Sequence, residues 1–82
     1  MNILIIGAGS IGSSLAEELS REDDNVVVID TDEKLCENLN EKMDLLTIPG
    51  DATSPAVLEI AGIRKTDVMI ALTSSDEVNI LV

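Results

Sequence analysis

The chain has 82 residues, no histidine, no aromatic side chain, one cysteine, and sixteen acidic against five basic residues, for a formal net charge of −11. A domain of this size buries roughly 60–65% of the surface its unfolded chain exposes, and without aromatics its core must be built from aliphatic residues, alanine and methionine. The charge and the missing stacking platforms argue against DNA or RNA as a partner, the lone Cys36 excludes an intrachain disulfide, and the absence of histidine removes the usual zinc-ligand sets.

The first apolar run, Ile3-Leu4-Ile5-Ile6, reads as a strand. No basic region precedes it and it stops at Gly7, so it is expected to be neither a signal peptide nor a membrane span, and the chain is expected in the cytoplasm without inserting into a membrane. A glycine turn follows and opens a helix whose stripe is Ile11, Leu15, Ala16 and Leu19. Val26-Val27-Val28-Ile29 is the second strand, and Asp32 is placed to cap a second helix that repeats Leu35, Leu39 and Met43 at intervals of four. Leu45-Leu46-Thr47-Ile48 gives a third strand, after which Ser54-Pro55 starts a short helix and Gly62 ends it. Val68-Met69-Ile70-Ala71-Leu72 is the fourth strand, and a further helix is expected after Thr73-Ser74-Ser75-Asp76-Glu77, carrying Val78, Ile80, Leu81 and Val82.

These strands are nearly continuous in apolar residues and rich in β-branching, the pattern of strands covered on both faces. Right-handed crossovers between them give an α/β fold, a Rossmann-type doubly wound parallel sheet of order 3-2-1-4. Residues 1–82 then form one domain, expected to be incomplete at its C-terminus because the fourth strand lacks an outer neighbour. That open edge and the apolar residues from Val78 onward also suggest assembly with further copies of the chain.

Gly7-Ala8-Gly9-Ser10-Ile11-Gly12 is a G-x-G-x-x-G, and its position between a buried strand and an amphipathic helix makes it a dinucleotide-binding signal. Gly7 permits the tight turn, Gly9 lets the backbone approach a pyrophosphate, and Gly12 lets helix and strand pack closely. The amides of residues 9 to 11 would face the phosphates from the positive end of the helix. A purely structural β-α turn is the alternative.

Asp30 ends the second strand eighteen residues past Gly12, where a carboxylate accepts hydrogen bonds from the adenosine ribose. Thr31 and Asp32 behind it bring no arginine for a 2′-phosphate, which favours NAD or an adenine nucleotide over NADP; a solvated acid is the plainer reading. Asp51, Ala52 and Thr53 follow the third strand where an adenine would lie, and Asp51 could bond its exocyclic amine or merely shape a turn. Thr73 and Ser74 would face the glycine turn across the crevice at the reversal of strand order, or cap the next helix. Asp76 and Glu77 fit a helix start better than a cation site, Cys36 fits helix packing better than a reactive thiol, and Lys34 fits a solvated helix face.

Four segments, GAGSIGSSLAEEL, VVVIDTDEKL, GDATSPAVLEIAGI and DVMIALTSSDEVNILV, together resemble the TrkA N-terminal (RCK or KTN) domain of potassium channel and transporter regulators over the whole chain. The resemblance implies a non-catalytic cytosolic regulatory subunit that binds NAD(H) or ATP, ADP or AMP. It also implies dimers, or rings of dimers, beneath a membrane-embedded potassium transporter or channel. By position it carries Gly7 through Ile11 onto the phosphate turn, Asp30 onto the ribose acid, and Thr73-Ser74 onto the facing loop. Many relatives hold a charged residue, often arginine, where this chain has Ser10, a departure that bears on the choice between NAD and ATP. The rival class is the cofactor half of an NAD-dependent oxidoreductase. Such an enzyme usually needs a His, Tyr or Lys acid-base group at its substrate, and this chain has no His or Tyr.

Overall fold

A computed structural model describes residues 1–22, 24–42 and 45–72, together with the backbone of 78–81. The first strand, β1 (Asn2–Ile6), leads through the glycine turn into α1 (Ser10–Ser20), and β2 (Asn25–Asp30) into α2 (Glu33–Lys42). Then come β3 (Leu46–Pro49), α3 (Pro55–Ala61), a 3₁₀ turn over Ile63–Lys65, β4 (Val68–Leu72) and β5 (Val78–Leu81). The sheet order is β3-β2-β1-β4-β5. The first four strands are parallel, with Ile5 level with Val28 on one side and Ile70 on the other. The α/β class and the 3-2-1-4 order of the parallel strands are therefore as the sequence reads.

Alternation along each strand sends side chains to two separate cores. Ile3, Ile5, Val26, Val28 and Ile70 face α1 and α2, where Ala16 and Leu39 are buried against them. Leu4 and Ile29 face the opposite way, under Ala61, Val57 and Leu58 of α3. Leu4, Ile5, Val28 and Ile29 are fully buried, which is why these strands carry no polar positions in their middles. The helix ends follow local chemistry. Asp32 Oδ1 accepts hydrogen bonds from the amides of Lys34 (2.9 Å) and Leu35 (3.3 Å), capping α2 as expected. Pro55 begins α3, and Gly62 ends it in the left-handed region at φ 81°.

Two expectations are corrected. The segment Val78–Leu81 is not helical: it forms β5, antiparallel to β4, with Leu72 level with Val78 and Met69 level with Leu81. Two β-branched residues among the four, Val78 and Ile80, suit an extended chain, and pairing satisfies backbone groups that β4 would otherwise present at an edge. The outer neighbour that β4 was expected to lack is thus supplied by the chain itself, and an open edge at β4 gives no argument for assembly. On α1, the buried stripe is Gly12 and Ala16, flanked by Leu15 and Leu19, whereas Ile11 is 41% exposed. Ile11 sits in the first turn of α1, directly after the glycine turn. It lines a shallow hollow of about 490 Å³ along the outer side of that helix with Ser10, Ser14, Leu15 and Glu18. Met43, Thr73, Ser74, Ser75, Asp76, Glu77 and Val82 lie outside the described residues. Among the described residues no helix is long and apolar enough to cross a membrane.

Candidate functional site

The parallel strands end together, and the turns that leave β1, β2 and β3 form one edge of the sheet. Three of these turns are tied to each other by backbone bonds. The Gly7 amide donates to the Ile29 carbonyl at 2.8 Å, and the Gly50 amide donates to the Asp30 carbonyl at 2.9 Å, extending the ladder past the strand ends. The glycine turn, the acid and the Asp51 turn are therefore held in register with each other.

Within the glycine turn the three glycines serve different ends. Gly7 has φ +110°, a region that side chains rarely adopt, and a Cβ there would lie 3.2 Å from both Cβ and O of Leu72. A Cβ on Gly12 would fall on the Gly7 carbonyl oxygen and 3.0 Å from Leu72 Cδ1, so the close approach of α1 to β1 and β4 depends on that glycine. Gly9 is unlike both. Its φ of −66° is open to any residue, and among the described residues a Cβ there would meet nothing within 4 Å. Among the described residues no close contact calls for glycine at that position; only the mild N-cap preference favours it.

Among the described residues, the N-terminus of α1 has no side-chain partner. Gly9 is its N-cap, no side chain caps it, and its first turn holds no acid. The first helical bond runs from the Ser13 amide to the Gly9 carbonyl at 2.8 Å, which leaves the preceding amides unsatisfied within the helix. The contrast is with α2, where Asp32 fills the same role with its carboxylate and Glu33 stands in the first turn. An anion or phosphate placed against α1 would find the donors and the positive dipole end that α2 has already spent. Gly9 leaves the space clear for it. Ala8 is fully buried, while Ser10 and Ile11 are exposed at the mouth of the turn.

Asp30 is more deeply built into this edge than the sequence indicates. Its Oδ2 accepts a hydrogen bond from the Ala8 amide at 2.6 Å and its Oδ1 accepts one from the Asp32 amide at 2.7 Å. The carboxylate thus braces the glycine turn against the start of α2. Each oxygen retains a second lone pair for a ligand hydroxyl. A further brace, unforeseen in the sequence, is Ser13, whose Oγ donates to the Ala8 carbonyl at 2.7 Å. A serine just past the third glycine has no spacing rule to mark it out.

Thr31 is exposed beside Asp30. At the third strand end, Asp51 Oδ1 accepts from both the Thr53 amide (2.8 Å) and the Thr53 hydroxyl (2.7 Å). These bonds form an Asx turn, and they hold the Asp51 carboxyl below its usual range, the backbone bond contributing most. Ala52 stands between them, packed toward the α3 core. The structure brings together Gly7 through Gly12, Asp30 and Thr31; the turn at Asp51–Thr53 joins the same edge through Gly50. Thr73 and Ser74 follow β4 outside the described residues. Cys36 is buried with its thiol toward the Asp30 carbonyl (3.7 Å), and burial, with Asp30 nearby, raises its pKa. Among the described residues no group of three Cys, Asp or Glu side chains is arranged to hold a metal ion.

Comparison with known proteins places this geometry in a family. The TrkA-N domain model matches residues 3–82. The Trk system potassium uptake protein TrkA of Halomonas elongata is 42% identical over 81 residues, covering 99% of this chain and 18% of that protein. The same-named protein of Haemophilus influenzae is also 42% identical, with the same coverage. A Trk system potassium uptake protein TrkA homolog of Pyrococcus abyssi is 41% identical over 81 residues, covering 99% of this chain and 36% of that protein. The chain thus spans well under half the length of these relatives.

Proposed function

Since the chain belongs to the TrkA-N domain family, we propose that it is a regulatory nucleotide-binding domain: it takes NAD(H), or ATP, ADP or AMP, on the glycine turn and conveys occupancy to a membrane-embedded potassium transporter or channel. The ligand half rests on the N-terminus of α1, which no described side chain caps, beside a Gly9 at which a Cβ would meet no described residue. In this reading the amides of Gly9, Ser10 and Ile11 receive the phosphates, and the remaining lone pairs of Asp30 receive ribose hydroxyls beside Thr31. Asp51, Ala52 and Thr53 border the adenine, and Thr73 and Ser74 close the crevice from β4. The transport half rests on the names of the relatives, which are potassium uptake proteins. Those names favour a regulator over the cofactor half of an oxidoreductase, and the chain offers no His or Tyr for hydride-transfer chemistry. The domain acts in the cytoplasm against its membrane partner and assembles with copies of itself.

The test is calorimetric titration of the 82-residue chain with NAD+, NADH, ATP and ADP, repeated on Gly9→Val. The expected result is binding of at least one of them by the parent chain and loss of that binding in the variant, with a circular dichroism spectrum near that of the parent because a Cβ at position 9 meets no described residue within 4 Å. Undiminished affinity in Gly9→Val would refute the placement of the phosphates.

A further inference from the structure

The basic residues of the chain are unevenly placed with respect to the proposed site, while acids stand at both edges of the sheet. Asp30, Asp32, Glu33 and Asp51 all lie at the edge where the parallel strands end, and Asp76 and Glu77 follow β4 in sequence. The glycine turn contains no basic residue, and Lys34, at the start of α2, is the only one of the five Lys and Arg at this edge. Because each connecting helix runs antiparallel to the strands, the other four cations belong to the opposite edge. Arg21 and Lys42 stand at the ends of α1 and α2, and Arg64 and Lys65 precede β4. Two of them are also engaged by neighbours, Arg21 with Glu17 (2.9 Å) and Arg64 with Glu59 (3.0 Å).

A phosphate ligand at α1 therefore meets two opposed fields. The helix amides attract it over a few ångströms, in contact, where salt screens little. The net charge of −11 repels it over the whole molecule, which measures 27 × 26 × 23 Å. The Debye length falls from about 30 Å at 0.01 M salt to about 3 Å at 1 M, so the repulsion spans the domain in dilute buffer and nearly vanishes in strong salt. We infer that ionic strength acts through this field as a charge filter on the site: raising salt tightens binding, and does so more for each additional negative charge the ligand carries. The sign is the reverse of that for phosphate sites built from Lys and Arg, where salt weakens binding. For charges about 15 Å apart in water, this amounts to about a threefold to tenfold gain in affinity per unit of ligand charge between about 10 mM and 500 mM KCl.

The inference rests on the nucleotide-binding reading above and is tested apart from it. Affinities of the 82-residue chain for adenosine, NAD+, NADH and ADP, in order of rising negative charge, are measured by calorimetry at about 10, 100 and 500 mM KCl and in choline chloride of matching strength. The quantity to follow is the ratio of NADH to NAD+ affinity at each salt, because any partial unfolding in dilute buffer cancels in it. The expected ratio rises by about threefold to tenfold, equally in both salts, while adenosine binding stays level after correction for the folded fraction. A double variant, Glu22→Lys with Glu41→Lys, raises the net charge by four at exposed positions away from the glycine turn and should flatten the slope. A constant or falling ratio, or an effect of KCl that choline chloride fails to reproduce, overturns the charge filter while leaving the site intact. Failure of every ligand to bind at every salt would instead overturn the site.

Discussion

Gly9 and Gly12 sit three residues apart, and the same small substitution separates their roles. Alanine at position 12 gains about 0.8–1 kcal/mol of helix propensity, but its Cβ falls on the Gly7 carbonyl oxygen, which is backbone and has little room to give. The clash dominates, and Gly12→Ala is expected to lower stability by about 1–3 kcal/mol in urea unfolding. Gly9→Ala places its Cβ at an ordinary φ, clear of every described residue, so only the N-cap preference for glycine is lost and stability should fall by no more than about 1 kcal/mol. A loss as large as that of Gly12→Ala would mean that the Cβ at position 9 meets a close contact. The buried thiol makes a separate prediction. With the folded Cys36 pKa raised by burial, the unfolded chain ionises first as pH climbs past about 8.5, so this group subtracts stability as pH climbs from there through the folded pKa. In native protein at pH 8, Cys36 should react with a thiol reagent far more slowly than in urea; equal rates would mean that the thiol is accessible.

At the scale of elements, what the sequence made legible was whatever local chemistry decides. Asp32, Pro55 and Gly62 mark helix ends because caps, proline and left-handed glycine act within a few residues, and each stands where expected. The strands were equally plain, since burial on both faces leaves nearly unbroken apolar runs. The sequence marked Leu15, Ala16, Leu19 and Gly12 for the packed side of α1 but wrongly set Ile11 among them, because Ile11 and Gly12 are adjacent and close packing against Gly7 and Leu72 selects the glycine for the inside. It did not reveal β5, whose four residues carry no period long enough to separate helix from strand. Of the candidate site, the glycines and Asp30 were legible by spacing. The bond from Ala8 to Asp30 and the bond from Ser13 to Ala8 were not, being contacts between turns. Asp32→Ala removes the α2 cap and should cost about 0.5–2 kcal/mol by thermal or urea unfolding. Thr53→Ala removes one of the two bonds that hold the Asp51 carboxyl low. Its titration midpoint, followed by carboxyl carbon NMR, should move up toward the ordinary aspartate range, and Asp51 should lose its contribution to stability earlier as pH falls. An unmoved midpoint would mean that the hydroxyl has no part in the turn.

For the whole molecule, eleven unbalanced negative charges on 82 residues oppose compactness. The exposed ion pairs of Arg21 and Arg64 are each worth about 0–1 kcal/mol and do not offset that. The urea midpoint should therefore rise with KCl over the range in which the Debye length shrinks below the size of the domain, about 10 mM to 500 mM; a midpoint indifferent to salt would mean that the repulsion is already neutralised locally. Asp30 gives the molecule a different kind of unity. Its carboxylate holds the amides of Ala8 and Asp32 and its carbonyl holds that of Gly50, so one residue pins three loops. Those three amide hydrogens share a common fastening, and they should exchange with solvent in step. A sugar that grips this residue would slow all three clocks at once, and in Asp30→Ala the clocks at Ala8 and Asp32 would run fast while the one at Gly50, fastened through the main chain, would keep nearer to its own time.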